Sequence, residues 1–154
     1  MKTNSIMFRV PGAIRGQGRS RTTLKAGHAT IYESAEDRSY KGLIQHYAME
    51  AMKKNGYSSP VEPDPSGFSV CVTIYMKFPA SFSRKRKERG YRLFLRPYRK
   101  PDVDNVAKIF LDAMNSVVYP DDRMVTQLHI AKVFSDIDSV YVTVAWEETE
   151  NAQV

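Results

Sequence analysis

Alternating apolar and polar residues mark four segments of the chain. Successive side chains of a strand point to opposite faces of a sheet, so this alternation predicts strands with one apolar face. It is clearest between Phe68 and Phe78 and weakest after residue 125, where only Leu128 and Ile130 share a face. The four predicted strands are 6–10, 68–78, 125–133 and 140–146.

Two further segments repeat apolar residues every three to four positions, which predicts helices packed on one side. The first helix follows the capping-box-like sequence Ser34-Ala35-Glu36-Asp37 and ends at Asn55-Gly56. Its stripe contains Tyr40, Leu43, Ile44, Tyr47, Ala48 and Ala51. The second helix is predicted to begin at Asp104, whose carboxylate is placed to cap the first turn. Its stripe contains Val106, Ile109, Phe110, Ala113, Met114 and Val117.

The resulting order, β-α-β-α-β-β, predicts an α+β fold with a mixed or antiparallel sheet and two packed helices. The 154 residues suffice for one domain, 1–154, and 42% hydrophobic residues are typical of a globular chain. We expect the acidic end, from about residue 147, to be frayed.

Composition narrows the class of protein. A formal net charge of +6 favours a polyanionic partner, although basic proteins without such a partner are common. Cys71 is the single cysteine, so no intrachain disulfide can form. No signal-peptide pattern opens the chain and no apolar run approaches membrane-spanning length, so we expect a cytoplasmic protein.

Positive charge is concentrated in two segments. The first is a loop from Pro11-Gly12 to about Thr30, which carries no acid before Glu33. Its basic residues are Arg15, Arg19, Arg21 and Lys25. Charge alone is compatible with a phosphate-gripping arm and equally with a solvated loop.

The second basic segment holds nine basic residues between positions 84 and 100, against Glu88 alone. They are Arg84, Lys85, Arg86, Lys87, Arg89, Arg92, Arg96, Arg99 and Lys100. Tyr91, Phe94 and Tyr98 are interleaved; stacking on exposed bases is one use for them, and packing against the core is the favoured one. We expect residues 81–100 to be mobile without DNA.

Four aspartates and a lysine surround the second helix, directly after this basic segment. Pro101 favours an extended Lys100, and Asp102 and Asp104 on an extended segment would project to the same side. Asp121 and Asp122 lie beyond the helix, and Lys108 falls one turn after Asp104. Each feature taken singly is common in ordinary structure. Together, beside a basic segment, they indicate a site.

The chemistry of these residues favours a hard divalent cation. Asp102, Asp104 and Asp122 offer carboxylate oxygens, which suit Mg²⁺ or Mn²⁺ and not zinc. Converging carboxylates repel one another, so a cation is their natural neutraliser. A cation held there can bind a phosphate oxygen and activate water.

These motifs resemble the RusA family of Holliday-junction resolvases, whose core reads Lys-Pro-Asp-x-Asp-Asn-x-x-Lys. The similar segments are Lys100–Asn105 with Lys108, Asp112–Asn115, Tyr119–Val125 and, at the front, Val10–Gly12 and Gly16–Arg21. Two positions depart from the family pattern. Ser20 stands where relatives often have proline, and Ser116 stands where they usually have glycine.

The resemblance implies an Mg²⁺-dependent endonuclease, with Mn²⁺ as the expected substitute, that resolves four-way DNA junctions by paired symmetric nicks in recombination and repair. The family's catalytic positions fall on Asp102, Asp104, Lys108 and Asp122. Asp121 is a further candidate metal ligand. Asn105 is expected to steady the loop, and Asp112 to hold Lys108 through an (i, i+4) pair. The expected DNA contacts are Arg15, Arg19, Arg21, Lys25, Arg84, Lys85, Arg86, Lys87, Arg89, Arg99 and Lys100.

Symmetric nicks need two sets of acids, so a twofold homodimer is the simplest assembly. Two alternatives stay open at this point. One is a nuclease of the same fold that acts on flaps, forks or RNA. The other is a non-catalytic nucleic-acid-binding protein, which the placement of several aspartates beside a basic segment disfavours.

Overall fold

The computed structural model describes residues 2–63 and 65–148 and contains one mixed four-stranded sheet. The strands lie in the order β1-β6-β4-β5; β6 pairs antiparallel with β1 and β4, and β4 pairs parallel with β5. Their bounds are Lys2–Pro11 for β1, Phe68–Lys77 for β4, Val125–Ser135 for β5 and Ser139–Glu148 for β6. The predicted α+β class and the four predicted strands are therefore confirmed.

Strand β5 is an edge strand, because β4 is its one partner in the sheet. Strand β4 also separates it from β6, the next strand along the chain. The short connection over residues 136–138 crosses the end of β4. It is fixed there by the Lys77 amide, which donates to Asp138 Oδ1 at 2.7 Å, and by the Phe78 amide, which donates to Ser135 O at 3.0 Å. This connection leads across β4 instead of folding back as a hairpin.

Two helices cover one face of the sheet: α1 (Ala35–Lys54) and α3 (Val103–Ala113). They contact each other and the sheet, and the rings of Tyr40 and Phe110 meet edge-on with centroids 5.9 Å apart. The predicted apolar stripe of α3 is buried from Val106 through Met114, so the hydrophobic effect fixes this helix against the core.

The structure contains a hairpin and a helix that the sequence pattern does not predict. The first basic loop contains β2 (Arg21–Lys25) and β3 (His28–Tyr32), an antiparallel pair joined by a two-residue turn in which Ala26 and Gly27 have φ of 52° and 78°. Hairpin turns of this length require positive φ. The strands gave no alternating signal because all but one of their residues are exposed.

Helix α2 (Arg84–Tyr91) lies inside the second basic segment. It carries no apolar stripe, and only Gly90 is buried. Its start is capped by Ser83, whose hydroxyl accepts from the Arg86 amide at 3.2 Å. Its end packs closely on Phe78: a Cβ added at Gly90 would lie 2.6 Å from that ring.

The chain after α2 is tied to the ends of β4 and β5. Arg96 Nη1 donates to Lys132 O at 3.1 Å, Arg99 Nη2 donates to Lys77 O at 2.8 Å, and Lys132 Nζ donates to Arg99 O at 2.5 Å. The basic segment thus has a defined path in the folded protein, and its mobility without DNA stays a prediction. At the other end, β6 continues through Glu148, and residues 149–154 lie outside the described residues, so the fraying of the acidic end stays a prediction.

Candidate active site

The start of α3 presents two aspartates to solvent. The helix begins at Val103, so Asp102 is its N-cap residue, and the Asp102 side chain makes no capping hydrogen bond. Asp104 lies inside the first turn and is exposed. The prediction that Asp104 caps the helix from an extended segment is therefore wrong, because the backbone becomes helical one residue earlier. Both carboxylates remain free of the helix amides.

Lys108 lies on the same side of α3 as Asp104. Residues three or four apart are neighbours on a helix surface, and both side chains line an open groove between α3 and β5. The other lining residues are Val103, Asn105, Ala107, Leu111, Leu128 and Ile130. The groove has a largely apolar floor with one acid and one ammonium group on its helical wall.

Asp121 and Asp122 lie at a short 3₁₀ turn, Asp122–Met124, that precedes β5. Asp121 caps this turn, since its Oδ1 accepts from the Arg123 amide at 2.9 Å. Asp122 is half-buried beside Tyr119, whose hydroxyl donates to Leu111 O at 2.7 Å. Burial raises the pKa of the Tyr119 phenol, and the negative charges of Asp122 and Asp112 raise it further. The hydrogen bond from Tyr119 to Leu111 O anchors the segment that carries Asp122 to α3.

The acids suit a hard cation in their chemistry. None of Asp102, Asp104 and Asp122 takes part in an ion pair within the described part of the chain. Across residues 2–63 and 65–148, however, no three His, Cys, Asp or Glu side chains lie close enough to hold a metal ion. Mg²⁺ usually binds through one or two carboxylates together with waters and substrate phosphates. The structure therefore does not bring Asp102, Asp104 and Asp122 together as the sequence predicts, and their joint binding of one ion stays a prediction.

Asp112 contacts Lys41 of α1, not Lys108. Lys41 Nζ forms ion pairs with both Asp112 and Glu33, and Asn115 Nδ2 donates to Asp112 Oδ1 at 3.3 Å. Burial lowers the pKa of Lys41, but hydrogen bonds and charge from Asp112 and Glu33 outweigh burial, so this pKa lies above its ordinary value. The expected pair between Asp112 and Lys108 is absent because this bridge to α1 takes its place.

The loop after β1 rests on the start of α3. The Gln17 amide donates to Asn105 O at 2.9 Å. Gly16 is packed so closely that an added Cβ would lie 2.8 Å from Asn105 Cβ and 3.1 Å from Pro101 Cβ. Asn105 therefore steadies this loop through its backbone carbonyl.

The same loop is held on its other side by α1. Arg15 Nε donates to Asp37 Oδ1 at 2.6 Å, and the Gly18 amide donates to Asp37 Oδ2 at 3.0 Å. Ser34 Oγ accepts from the Asp37 amide at 3.1 Å and from Arg15 Nη2 at 3.4 Å. Burial raises the pKa of Asp37, but the hydrogen bonds from Arg15 and Gly18 lower it by more. The pKa of Asp37 therefore lies below its ordinary value. Arg15, expected to contact DNA, thus has its guanidinium engaged by Asp37 and Ser34 of the same chain.

The other expected DNA contacts fall into two groups. Within the described chain, one group is exposed and its side chains form no ion pair or hydrogen bond: Arg19, Arg21, Lys25, Arg84, Lys85, Arg89 and Lys100. In the other group, Arg99 is bound by Lys77 O, Arg86 lies 4.1 Å over the Phe82 ring, and Lys87 lies 5.9 Å from the Phe78 ring. The free charges lie on the hairpin and just before it, on α2, and at Lys100 before α3.

Sequence reasoning missed Asp37 and Lys41. Asp37 follows Ser34 by three residues, so it was interpreted as part of a helix cap, which its amide confirms. The use of its carboxylate had no local signal, because Arg15 is 22 residues away. Lys41 pairs with a residue 71 positions away, and periodicity along one helix says nothing about such a partner.

A single α+β domain that presents unpaired aspartates and a lysine on one helix, beside exposed basic elements, has the features of a nuclease domain. The family model of endodeoxyribonuclease RusA matches residues 11–145, and the chain belongs to the RusA family. It is similar to the uncharacterized protein YqaN of Bacillus subtilis (strain 168), with 32% identity over 141 residues that cover 90% of this chain and 94% of the relative.

The family match confirms the resemblance found in the sequence. It implies an endonuclease of the Holliday-junction type, which acts on branched DNA and generally depends on a divalent metal ion. Within the described residues, every helix is too short or too polar to cross a membrane.

Proposed function

We propose that the protein is an Mg²⁺-dependent DNA endonuclease that resolves four-way junctions by paired symmetric nicks in two opposing strands, during recombination or repair. One observation carries the proposal: the chain belongs to the RusA family, and the start of α3 presents the unpaired carboxylates of Asp102 and Asp104 to solvent. Such an enzyme would act wherever the DNA is, in the cytoplasm.

Asp102, Asp104 and Asp122 are the proposed metal ligands, with Asp121 as a further candidate and Mn²⁺ as a substitute ion. A bound divalent ion would supply positive charge at the scissile phosphate and make a bound water more acidic. Asp121 uses Oδ1 as a cap, and its Oδ2 lies 4.0 Å from Arg123 Nε, so it has less free oxygen for a metal ion than the other three aspartates. Asp122 is oriented by the 3₁₀ turn and by the neighbouring Tyr119, which is fixed to α3.

Lys108 is the proposed electrostatic partner of the phosphate. It shares the groove with Asp104, so a phosphate that reaches Asp104 also comes close to the ammonium group. A positive charge fixed beside oxygens that gain negative charge stabilises the transition state more than the ground state. Lys41 and Asp112 support this wall of the groove by joining α1 to α3.

The exposed basic residues on β2 and α2 are the proposed contacts to the junction arms. Phosphate contacts position a protein on DNA but carry no sequence information, so recognition would rest on branch shape. Each chain holds one set of acids, and two nicks at fixed spacing need two sets. A twofold homodimer provides both.

The test uses end-labelled four-way junctions, flaps, forks and linear duplexes of matched sequence, with Mg²⁺ and then with chelator. We expect Mg²⁺-dependent nicks at symmetric positions in the four-way junction only. Asp104→Asn should lower cleavage by at least about 100-fold, since changes at residues that only support metal ligands already cost about 10- to 100-fold. Its junction binding should be unchanged or tighter, because a charge that repels phosphate is removed.

The matched control is Glu62→Gln, which removes an exposed acid outside the site and should cleave like the unmodified protein. Cleavage by Asp104→Asn at the control rate would overturn the proposed ligand set. Equal cleavage of flaps or forks would replace the four-way junction with a broader branched substrate. Binding without cleavage under any condition would leave only a nucleic-acid-binding role.

A further inference from the structure

A pocket of about 310 Å³ lies between the first turn of α2 and residues 95–99, which lead into the aspartate motif. Its floor is apolar and aromatic, with Phe82, Leu95 and Phe134 among the lining residues. Pockets that accept small organic groups begin at about 300 Å³. The space therefore fits one ring system with its attached sugar and excludes a base-paired duplex.

Three arginines, Arg86, Arg96 and Arg99, line the same pocket, and no acid is among its lining residues. Two of the guanidinium groups are held by backbone carbonyls and the third lies over the Phe82 ring. A guanidinium has five N–H donors, so each keeps donors for a ligand. The three arginines are therefore held in defined positions. Their free donors suit a phosphate group that is attached to an apolar ring.

Aromatic side chains at this pocket are left in water. Tyr98 lines the pocket and is 99% exposed, and Phe94, four residues earlier, is 70% exposed. Of the three aromatics that the sequence analysis expected to pack on the core, only Tyr91 has a ring partner, Phe78, at 5.1 Å. Burying an aromatic side chain stabilises a fold, so the loop forgoes that stabilisation at both positions.

The exposed loop is nevertheless built with a defined backbone. Leu93 has φ of 64°, a conformation that L side chains rarely adopt. It is held there by the Leu93 amide, which donates to Gly90 O at 3.0 Å, and by the Phe94 amide, which donates to Arg89 O at 3.0 Å. An ordered loop that presents aromatic rings to solvent beside arginines has the features of a stacking platform.

We infer that this pocket binds an unpaired nucleobase, with Tyr98 stacked on the base and the arginines on its flanking phosphates. The inference rests on the proposed function and deepens it. Bases in a duplex are covered by their stacked neighbours, whereas a branch point offers bases that can leave the stack. Base–aromatic stacking tolerates any sequence, because every base has a flat π-face. The pocket would thus select branched over linear DNA.

The test measures binding with chelator present, so that no cleavage interferes. The probes are a 15-nucleotide thymidine strand with one central 2-aminopurine, a four-way junction with 2-aminopurine at the branch, and a linear duplex. Stacking on an aromatic ring quenches 2-aminopurine, and anisotropy gives the affinity. The variants are Tyr98→Ala and the ring-retaining Tyr98→Phe, with Met49→Ala on α1 as a half-exposed apolar control.

We expect the unmodified protein, Tyr98→Phe and Met49→Ala to quench the probe and bind alike. Tyr98→Ala should lose the quenching and bind the single strand and the junction about 5- to 150-fold more weakly, the range for one stacked base, with duplex affinity changed less than about twofold. Because Tyr98 is exposed, the variant keeps the fold. Unchanged quenching, or equal weakening for all three DNAs, would overturn the pocket.

The two proposals fail separately. If the unmodified protein cleaves junctions while Tyr98→Ala binds and quenches normally, the nuclease assignment stands and the base pocket is wrong. If the probe is quenched in a Tyr98-dependent way and no branched DNA is ever cut, the pocket stands and the proposed function is wrong.

Discussion

The guanidinium of Arg15 and the carboxylate of Asp37 form the most buried ion pair of the described chain, with Nε and Oδ1 2.6 Å apart and the Asp37 side chain 3% exposed. The pair joins the loop after β1 to the first turn of α1. The same loop contacts Asn105 through Gln17 and Gly16. One ion pair therefore sets the distance between α1, the basic hairpin and the start of α3.

Removal of Arg15 should destabilise the fold. Arg15→Met leaves a buried carboxylate without its partner, which costs about 3–5 kcal/mol in fully buried pairs. Arg15 is 39% exposed, and water can partly replace it, so we expect a loss of about 2 kcal/mol in the free energy of unfolding. Urea denaturation at pH 7 measures this loss, and a change below about 0.5 kcal/mol would show that the pair contributes little.

Protonation of Asp37 should weaken the fold in acid. The pKa of Asp37 in the folded protein lies below its ordinary value of 3.8. The contribution of its charge is therefore complete above the unfolded pKa and is lost as pH falls through the folded pKa. The stability difference between the unmodified protein and Asp37→Asn should shrink as pH falls below about 4. For Glu36→Gln, an exposed neighbour, we expect a small difference at all pH values; a constant difference for Asp37→Asn would contradict the assignment.

The structure leaves no room for a side chain at Gly16, whereas a side chain at Gly42 would meet no neighbouring atom. Gly16→Ala would force Cβ atoms to within 2.8 Å of Asn105, so the loop must move away from the start of α3. We expect cleavage of junctions to fall at least tenfold, because small displacements of catalytic groups have large effects on rate. Gly42→Ala, within α1 and open to solvent, should raise stability by about 0.5–1 kcal/mol and leave cleavage unchanged. Equal activity of both variants would show that the close packing of Gly16 has no role in the site.

The sheet and α3 could be predicted from the sequence because their apolar periods are strong. The buried stripe that ends at Met114 and the alternation that begins at Phe68 both reflect burial on a single face. Helix α2 could not be predicted in this way, since its sequence has no apolar stripe and its one close contact is between Gly90 and Phe78. In the hairpin of β2 and β3 all residues but one are exposed. Its sequence therefore has no alternation of buried and exposed positions.

Charged pairs were the weakest part of the prediction for a related reason. The ion pairs of Arg15 with Asp37 and of Lys41 with Asp112 join residues far apart in the chain. Only the folded topology brings them together. Local rules instead assigned Asp37 to a cap and Asp112 to an (i, i+4) pair, and in the second case tertiary contact overrides helix spacing.

The backbone conformation of Ser116 shows why one departure from the family motif costs stability. It has φ of 62°, in the left-handed region, at the position where relatives usually have glycine. A non-glycine residue there costs about 1–2 kcal/mol. Ser116→Gly should remove that strain and, after the greater chain entropy of glycine is subtracted, raise stability by about 0.5–1 kcal/mol. Thermal unfolding measures this gain, and Ser59→Gly, at an exposed position without positive φ, should show none.

Arg84 and Lys85 lie at the wrong end of α2 for stability. The N-terminus of a helix carries partial positive charge, and the first turn of α2 contains no acid. Arg84→Ala with Lys85→Ala should therefore keep or slightly raise the melting temperature. If these side chains bind phosphates, the same double variant should reduce the slope of log affinity against log salt by about 0.9 for each phosphate that is no longer neutralised.

The matched control, Lys53→Ala with Lys54→Ala at the end of α1, removes the same charge where cations stabilise the helix, so it should lower the melting temperature and leave the slope unchanged. Equal slopes for the two double variants would mean that α2 does not touch the DNA backbone.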